Sequence, residues 1–339
     1  PLPEYPADLE KTILDLVSQP EVASKDWVIR QYDHEVRGKT ALKPIQGPIG
    51  KDVPGDSSVL KPVDDSWKGL ALTTDVNPYL MEANPYHGTR SAVEEVCRNL
   101  AAVGARIDSL ADCLCFGNPR KPDIMGQFRA SCEALKDAAM AVDVPYVSGN
   151  VSLYNETSDG AIPPTPVLMG VGLVEDIRNC TTSDMKRDGS IWLIGKTKEE
   201  MGASLYYRSI GKDCPNVPKT DFDSFIPRME QLIQAIEQGE VVACHDISTG
   251  GIAVAVIEMC MSGVGANIGL GEDMRADVEL FSESNGRWIV QVVNGKEKGF
   301  ARSFDYASRI EEGEKNIAFS IDNDIITVFE IDELRSAWS

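Results

Sequence analysis

Short apolar runs of strand type and amphipathic stretches of helix type alternate in two successive series along the 339 residues, and a polar, turn-rich segment parts the two. In the first series the strand-type runs are "GLALTTDV", "IDSLADCLCFGN", "VPYVSGN" and "TPVLMGVGLVED". Between them lie "SAVEEVCRNLAAVGA", whose Ala92, Val96, Leu100 and Val103 share one helix face, and the long helical run "MGQFRASCEALKDAAMAVD". The second series runs strand "IWLIGKT", helices "KEEMGASLYYRSI" and "FDSFIPRMEQLIQAIEQG", strand "VVACHDIS", helix "GGIAVAVIEMCMSG", strand "RWIVQVV", a helix near "KGFARSFDYASRI" and strand "IITVFEID". Such alternation predicts α/β layers, sheets covered by helices. The break "DIRNCTTSDMKRDGS" predicts a domain boundary. Upstream, a proline-punctuated lead-in carries Leu9, Ile13, Leu14 and Val17 at helical spacing and reads as a linker with a short helix. The expected division is therefore 1–23 as lead-in, 24–177 as a first α/β domain and 178–339 as a second.

Charge limits the partners. With 53 acidic against 33 basic residues the chain carries a net charge of -20, which opposes general attraction to nucleic acid or anionic membrane. A phosphate ligand must then be met locally, by backbone N–H groups, a metal ion or a few basic side chains. No apolar run approaches the roughly 20 residues of a membrane span, and the chain reads as soluble and cytoplasmic. Eight cysteines lie scattered in apolar segments; Cys113 and Cys115 form one C-x-C without a second pair, so reduced core thiols are expected rather than zinc or a disulfide.

Four places put polar groups where strands or helices end. "VPGDSS" offers Asp56, and "SAVEEVCRN" puts Glu95 and Asn99 four apart, on one helix face. Two oxygens at that spacing suit a hard cation such as Mg²⁺, or else a solvated surface. In "ACHDISTGGIAVAVIEM" a strand ends at His245 and Asp246 and a glycine turn opens a helix, which serves either as an anion site or as a plain capped turn. Asp112 ends another strand beside "SGNVSLYNE", which is either a surface turn or a ligand site at adjoining strand ends. The three histidines make no triad, and G-x-S-x-G, H-E-x-x-H, G-x-G-x-x-G after a strand and the Walker A loop are all missing.

Taken in order, "VIRQYDHEVRG", "GDSSVLKP", "SAVEEVCRNLAAVGA", "DCLCFGNPRKP", "VSGNVSLYNET", "ACHDISTGGIAVAVIEM" and "LFSESNGRWIVQV" resemble the phosphoribosylformylglycinamidine synthase family, specifically the second half of its synthetase subunit. The resemblance implies a two-domain α/β (α+β) unit like aminoimidazole ribonucleotide synthetase, each domain a mixed sheet packed with helices. It implies an ATP-dependent carbon–nitrogen ligase of purine biosynthesis, which converts formylglycinamide ribonucleotide to the amidine with ammonia from glutamine. The family's proposed catalytic histidine lies in the earlier half, so no catalytic residue is expected here and the chain alone is expected to be inactive. Matching positions imply Asp112 and Gly149 as ATP contacts, Asn150 as a magnesium ligand and Ser152 as a contact to the ribonucleotide. Lys25, Asp56, Glu95, Asn99 and Asp246 are implied for an auxiliary nucleotide with Mg²⁺, while Thr249 stands where many relatives have an acid. The implied cofactors are Mg²⁺ and ATP or ADP. The implied partners are the first half of the subunit, a glutaminase subunit, a small accessory subunit and the ribonucleotide, with a second copy of the chain as an alternative. Other readings are a half that only holds nucleotide, or another ATP-dependent synthetase or kinase of the same superfamily.

Overall fold

A computed structural model describes residues 2–271, 273–304, 307–313, 315–321 and 324–339. Two mixed sheets organise them, as expected. The first uses β1 (Thr40–Leu42), β2 (Ser58–Leu60), β3 (Gly69–Asp75), β4 (Arg106–Cys115), β5 (Tyr146–Ser152) and β6 (Thr165–Val174), in the order β1-β2-β3-β6-β4-β5. Only the β4–β5 pair is parallel. The second uses β7 (Ser190–Ile194), β8 (Val241–Asp246), β9 (Gly265–Leu270), β10 (Trp288–Val292), β11 (Ala307–Gly313), β12 (Asn316–Ile321) and β13 (Asp324–Glu330), in the order β8-β10-β7-β11-β9-β12-β13. There β9 and β12 run parallel.

The main helices are α1 (Leu9–Val17), α2 (Pro85–Ala102), α3 (Pro122–Val142), α4 (Phe222–Glu237), α5 (Gly251–Cys260) and α6 (Ile331–Trp338). Among the described residues no helix is long and apolar enough to cross a membrane. The start of α2 is set by Asn84, whose side chain accepts from the His87 N–H, and by Pro85 in the first turn, where a missing N–H costs nothing. This helix is buried nearly all round, because one side lies on the first sheet and the other meets α4 and the second domain. Val96 and Leu100 join Phe225, Leu232, Trp288 and Val290 in one apolar cluster, so the two domains share a core. The opposite face of the second sheet, with Ile191 and Ile289, packs on α5 and α6.

Some local expectations change. The lead-in helix α1 is docked rather than trailing: Leu9, Ile13, Leu16 and Val17 enter the second domain's core, and Leu16 takes the inward place expected of Leu14. The helix expected over 198–210 shrinks to Leu205–Ser209, since Ser204 caps it and Ala203 holds a positive φ of 59°. The helix expected near 298–310 ends at Ser303, and residues from Ala307 pair with β7 as strand β11; Asp305 and Tyr306, within that expectation, lie outside the described residues. Pairing across a sheet decides such segments, and local periodicity does not contain it.

Among the described residues no helix covers one face of the first sheet. Along β6, Leu168, Gly170 and Gly172 point to the core, whereas Val167, Met169 and Val171 remain partly exposed and Leu173 is 46% exposed. Gly170 marks how closely α2 approaches the covered face, since a Cβ there would lie 2.3 Å from Val96 Cγ1 and 3.1 Å from Leu100 Cδ1. Gly170→Ala is expected to lower stability by about 1–3 kcal/mol through overpacking. Urea denaturation checks this, and an unchanged midpoint would mean the strand–helix spacing is looser than described.

Candidate functional site

A cavity of about 360 Å³ opens between the domains, lined by Asp56, Glu95, Asn99, His245, Asp246 and Glu258 among others. They arrive from four separate places in the chain. Asp56 precedes β2, Glu95 and Asn99 stand one turn apart on α2, His245 and Asp246 end β8, and Glu258 lies on α5. Four of the five residues implied for the auxiliary site therefore meet. The fifth, Lys25, lines an adjoining cavity of about 250 Å³ that shares Pro44, Pro54, Gly55 and Glu258 with the first and is walled by Val22, Ile29, Ile45, Val53 and Trp338. Burial lowers the Lys25 pKa, opposed by Glu258 and Glu21.

The cavity wall is a continuous ionic network. The Arg98 guanidinium, 1% exposed, donates to Asp246 Oδ2 at 3.1 Å and to Glu94 Oε2 at 2.6 Å, and stands 3.4 Å from Glu95 Oε2. His245 is held between Asp56, 2.9 Å from Nδ1, and Glu258, 3.1 Å from Nε2. The Asp246 N–H donates to Asp56 at 3.2 Å. Ligand atoms of Asp56, His245 and Asp246 all lie within 4.8 Å of one another.

So many acids in one buried place disturb each other's ionisation. Burial raises Asp56 to about 6 despite His245, and raises Asp75 and Glu94 to about 7 despite Arg98. Burial and then the Asp75 charge push Glu95 well above the ordinary carboxylate range. Burial opposes a charged His245, yet Asp56 and Glu258 hold its pKa well above normal. Burial also opposes ionisation of Asp246, but Arg98 and His245 outweigh it and keep that group below its usual value.

Two oxygens stand out chemically. Asn99 Oδ1 and Asp75 Oδ2 are buried with no hydrogen-bond partner. Orphaned buried oxygens are costly, and a hard cation that takes carboxylate and amide oxygens would satisfy them. The donor set therefore fits Mg²⁺, with Asp56, Glu95, Asn99 and Asp246 as candidate ligands. His245 is already engaged on both ring nitrogens, and magnesium has little use for nitrogen.

Sequence reading missed Asp75, Glu94, Arg98 and Glu258. Asp75 had a signal, as the acid ending "GLALTTD"; Arg98 had one in its spacing from Glu94 and Glu95. Their meeting with Asp246 had none. Of the two alternatives open for the glycine turn before α5, the plain capped turn fits its hydrogen bonds better than an anion site. The Gly250 N–H is taken by Glu283 at 2.9 Å and the Gly251 N–H by the Ser248 carbonyl at 3.0 Å. Gly251 has φ of +69° and lies where a Cβ would come within 2.5 Å of the Leu280 carbonyl oxygen, so the turn is built for packing.

The second implied group sits elsewhere, on the parallel pair β4–β5. Register places Asp112 opposite Gly149, Cys113 opposite Asn150 and Cys115 opposite Ser152. Strand alternation then puts Asp112 and Gly149 on one face and Asn150 and Ser152 on the other, the open one. Gly149 is explained by its neighbour, because a Cβ would stand 3.1 Å from Asp112 Oδ2. Partial burial raises the Asp112 pKa. The exposed Asn150 donates its amide to Cys113 Sγ at 3.3 Å, and Ser152 Oγ accepts from Asn155 at 3.1 Å. None of the four lines the two cavities above.

Acids with raised pKa bind protons more tightly in the folded chain than in the unfolded one. Their contribution to stability is complete below the ordinary carboxylate range and is lost as pH rises through about 6 for Asp56 and about 7 for Asp75 and Glu94. The raised His245 acts in the same direction, while the lowered Asp246 acts oppositely only in acid. Without divalent cation the melting temperature is expected to fall from about pH 5 to about pH 8, and Mg²⁺ is expected to flatten that fall. A melting temperature that rises over this range in EDTA would refute the protonated cluster.

Comparison with known proteins gives a consistent set. Residues 54–174 match the family described as AIR synthase related protein, N-terminal domain, and residues 186–310 match its C-terminal domain. The chain is 38% identical to phosphoribosylformylglycinamidine synthase subunit PurL of Methanothrix thermoacetophila, over 98% of this chain and 45% of that protein. It is 42% identical to the subunit of the same name from Thermococcus sibiricus, over 83% of this chain and 39% of that protein. Among solved structures, T. maritima PurL complexed with FGAR superposes with a TM-score of 0.77 at 17% identity, over 97% of this chain and 54% of that one. The hydrogenase maturation protein HypE in complex with ATP gives 0.58 at 17% identity, over 78% of this chain and 87% of that one. The chain spans about half the length of the curated relatives it matches.

Proposed function

The chain belongs to the AIR synthase related proteins, whose N-terminal and C-terminal domains it carries in order, and on that premise we propose that it is the later half of a phosphoribosylformylglycinamidine synthase synthetase subunit whose interdomain cavity holds a magnesium-bound adenine nucleotide. The observation that carries this reading is the convergence of Asp56, Glu95, Asn99 and Asp246, from both domains, around one cavity with an unpartnered Asn99 oxygen. Magnesium would neutralise phosphate charge against the carboxylates, which would otherwise repel it. Lys25, in the adjoining apolar cavity, would meet a phosphate, and that cavity would take the rest of the nucleotide.

The activity of the whole enzyme is ATP-dependent carbon–nitrogen ligation, forming formylglycinamidine ribonucleotide with ammonia released from glutamine by a glutaminase subunit. This chain contributes the strand-end group: Asp112 and Gly149 toward ATP, Asn150 toward magnesium and Ser152 toward the ribonucleotide. Support comes from the uncovered face of the first sheet. Val167, Met169 and Val171 form a partly exposed apolar surface there, with Asn150 and Ser152 on the same face. Such a surface suits burial against another domain, here the first half of the subunit, and otherwise a second copy of the chain. A small accessory subunit completes the assembly, and the location is cytoplasmic.

Ligand binding to the folded state alone stabilises by about 2.7 kcal/mol at a hundredfold excess over Kd. Saturating Mg²⁺-ADP is therefore expected to raise the melting temperature of the parent chain and to raise that of Glu95→Gln much less. An unmoved parent, or an equal shift in the variant, removes the nucleotide site. Separately, the chain alone is expected to show no synthetase turnover with ammonia or glutamine. Turnover of formylglycinamide ribonucleotide by this chain alone would contradict its assignment as a dependent half.

A further inference from the structure

A third cavity, of about 270 Å³, lies beside Glu94, where the segment after β7 meets the start of α4. It is lined by Lys196, Lys198, Lys219 and Arg228, an unusual concentration of positive charge on a chain of net charge -20. Its two acids are already occupied. Glu94 accepts from Arg98 at 2.6 Å and from the Gly286 N–H at 3.1 Å, and Asp221 caps α4 by accepting from the Ser224 N–H at 3.4 Å and also accepts from the Ser224 hydroxyl at 2.9 Å. Arg228 donates to the Gly286 carbonyl at 3.1 Å, which fixes its guanidinium at the rim. Among the described residues neither the Lys198 nor the Lys219 ammonium forms an ion pair.

The positive field reaches the surroundings. Burial lowers the His87 pKa and Lys219 adds to that, while hydrogen bonds from Ser224 and the charge of Lys198 help keep Asp221 below its usual value. The 16-residue helix α4 also begins here, so its N-terminal dipole adds to the side-chain charges. The Thr220 hydroxyl, which accepts from the Asn285 amide at 2.9 Å, keeps its own O–H as a neutral donor at the same wall.

We propose that this cleft is an anion site that binds a phosphate group, free or as the monoester of a small metabolite, independently of magnesium and separately from the nucleotide cavity. Two exposed ammonium groups that form no ion pair among the described residues, a helix N-terminus and the Thr220 hydroxyl around one small cavity make a combination that phosphate oxygens use. The cavity shares no lining residue with the one that holds Asp56 and Asp246.

Isothermal titration of the 339-residue chain in EDTA, with inorganic phosphate and with ribose 5-phosphate as probes, tests this. The parent is expected to bind at least one probe, the Lys198→Ala/Lys219→Ala double variant about tenfold or more weakly, and Glu95→Gln like the parent. Both lysines are exposed, so the double variant is expected to fold normally. Tighter binding of ribose 5-phosphate identifies a monoester ligand and equal binding identifies free phosphate; each supports the site. Binding of neither probe by the parent, or equal affinity in the double variant, overturns it. Weakening in Glu95→Gln alone would place the phosphate in the nucleotide cavity and also overturn it, without touching the magnesium reading. A failed Mg²⁺-ADP shift, conversely, leaves this site standing.

Discussion

The buried guanidinium of Arg98 is the contact on which both the domain arrangement and the candidate site rest. It leaves α2 in the first domain and reaches Asp246 at the end of β8 in the second, and it also holds Glu94 and stands beside Glu95. A buried charge without partners is prohibitively costly, so the two domains must sit where these acids surround it. Once they do, Asp56, Asn99 and His245 are carried into the same space by the elements that bear them. The cluster holds more acids than cations, and the excess is met by protonation or, in the proposed reading, by magnesium.

Apolar packing fixes the same arrangement independently. Helix α2 is covered on both sides, and α4 with Trp288 closes the core from the second domain. The shared core explains why the site can be built from residues as distant in sequence as Asp56 and Asp246. A cleft between two freely moving domains could not keep His245 within hydrogen-bond reach of Asp56 and Glu258 together. The molecule is in this sense fixed at the cavity between its domains and open at its uncovered sheet face, where Asn150 and Ser152 stand.

Much of this was legible in the sequence. Apolar runs of strand length marked β3, β4, β6, β8 and β10, and longer apolar-rich stretches marked α2, α3, α4 and α5, because each of these elements carries its apolar content in its own residues. Acids and amides at their ends marked Asp56, Glu95, Asn99, Asp112, Asn150 and Asp246 as candidates. What local pattern could not express was pairing and partnership. Strands β9, β11 and β12 have weak signals because neighbours in the sheet, not alternation, hold them. The docking of α1 into the second domain depends on a groove made by α5 and α6, more than 200 residues away in sequence.

The sequence by itself determined the two α/β series, the acidic surface and the residue types available for metal and phosphate, since each is a local property of composition and periodicity. The tertiary structure alone decided which of those residues meet. It separated Asp112 and Gly149 from Asn150 and Ser152 by strand alternation, put Lys25 in the adjoining cavity, closed the Gly250 turn with Glu283 and gathered Lys198 and Lys219 at the start of α4. The physical reason is that burial, ion pairing and shifted ionisation depend on distances across the fold, and no stretch of chain carries those distances in its own order of residues.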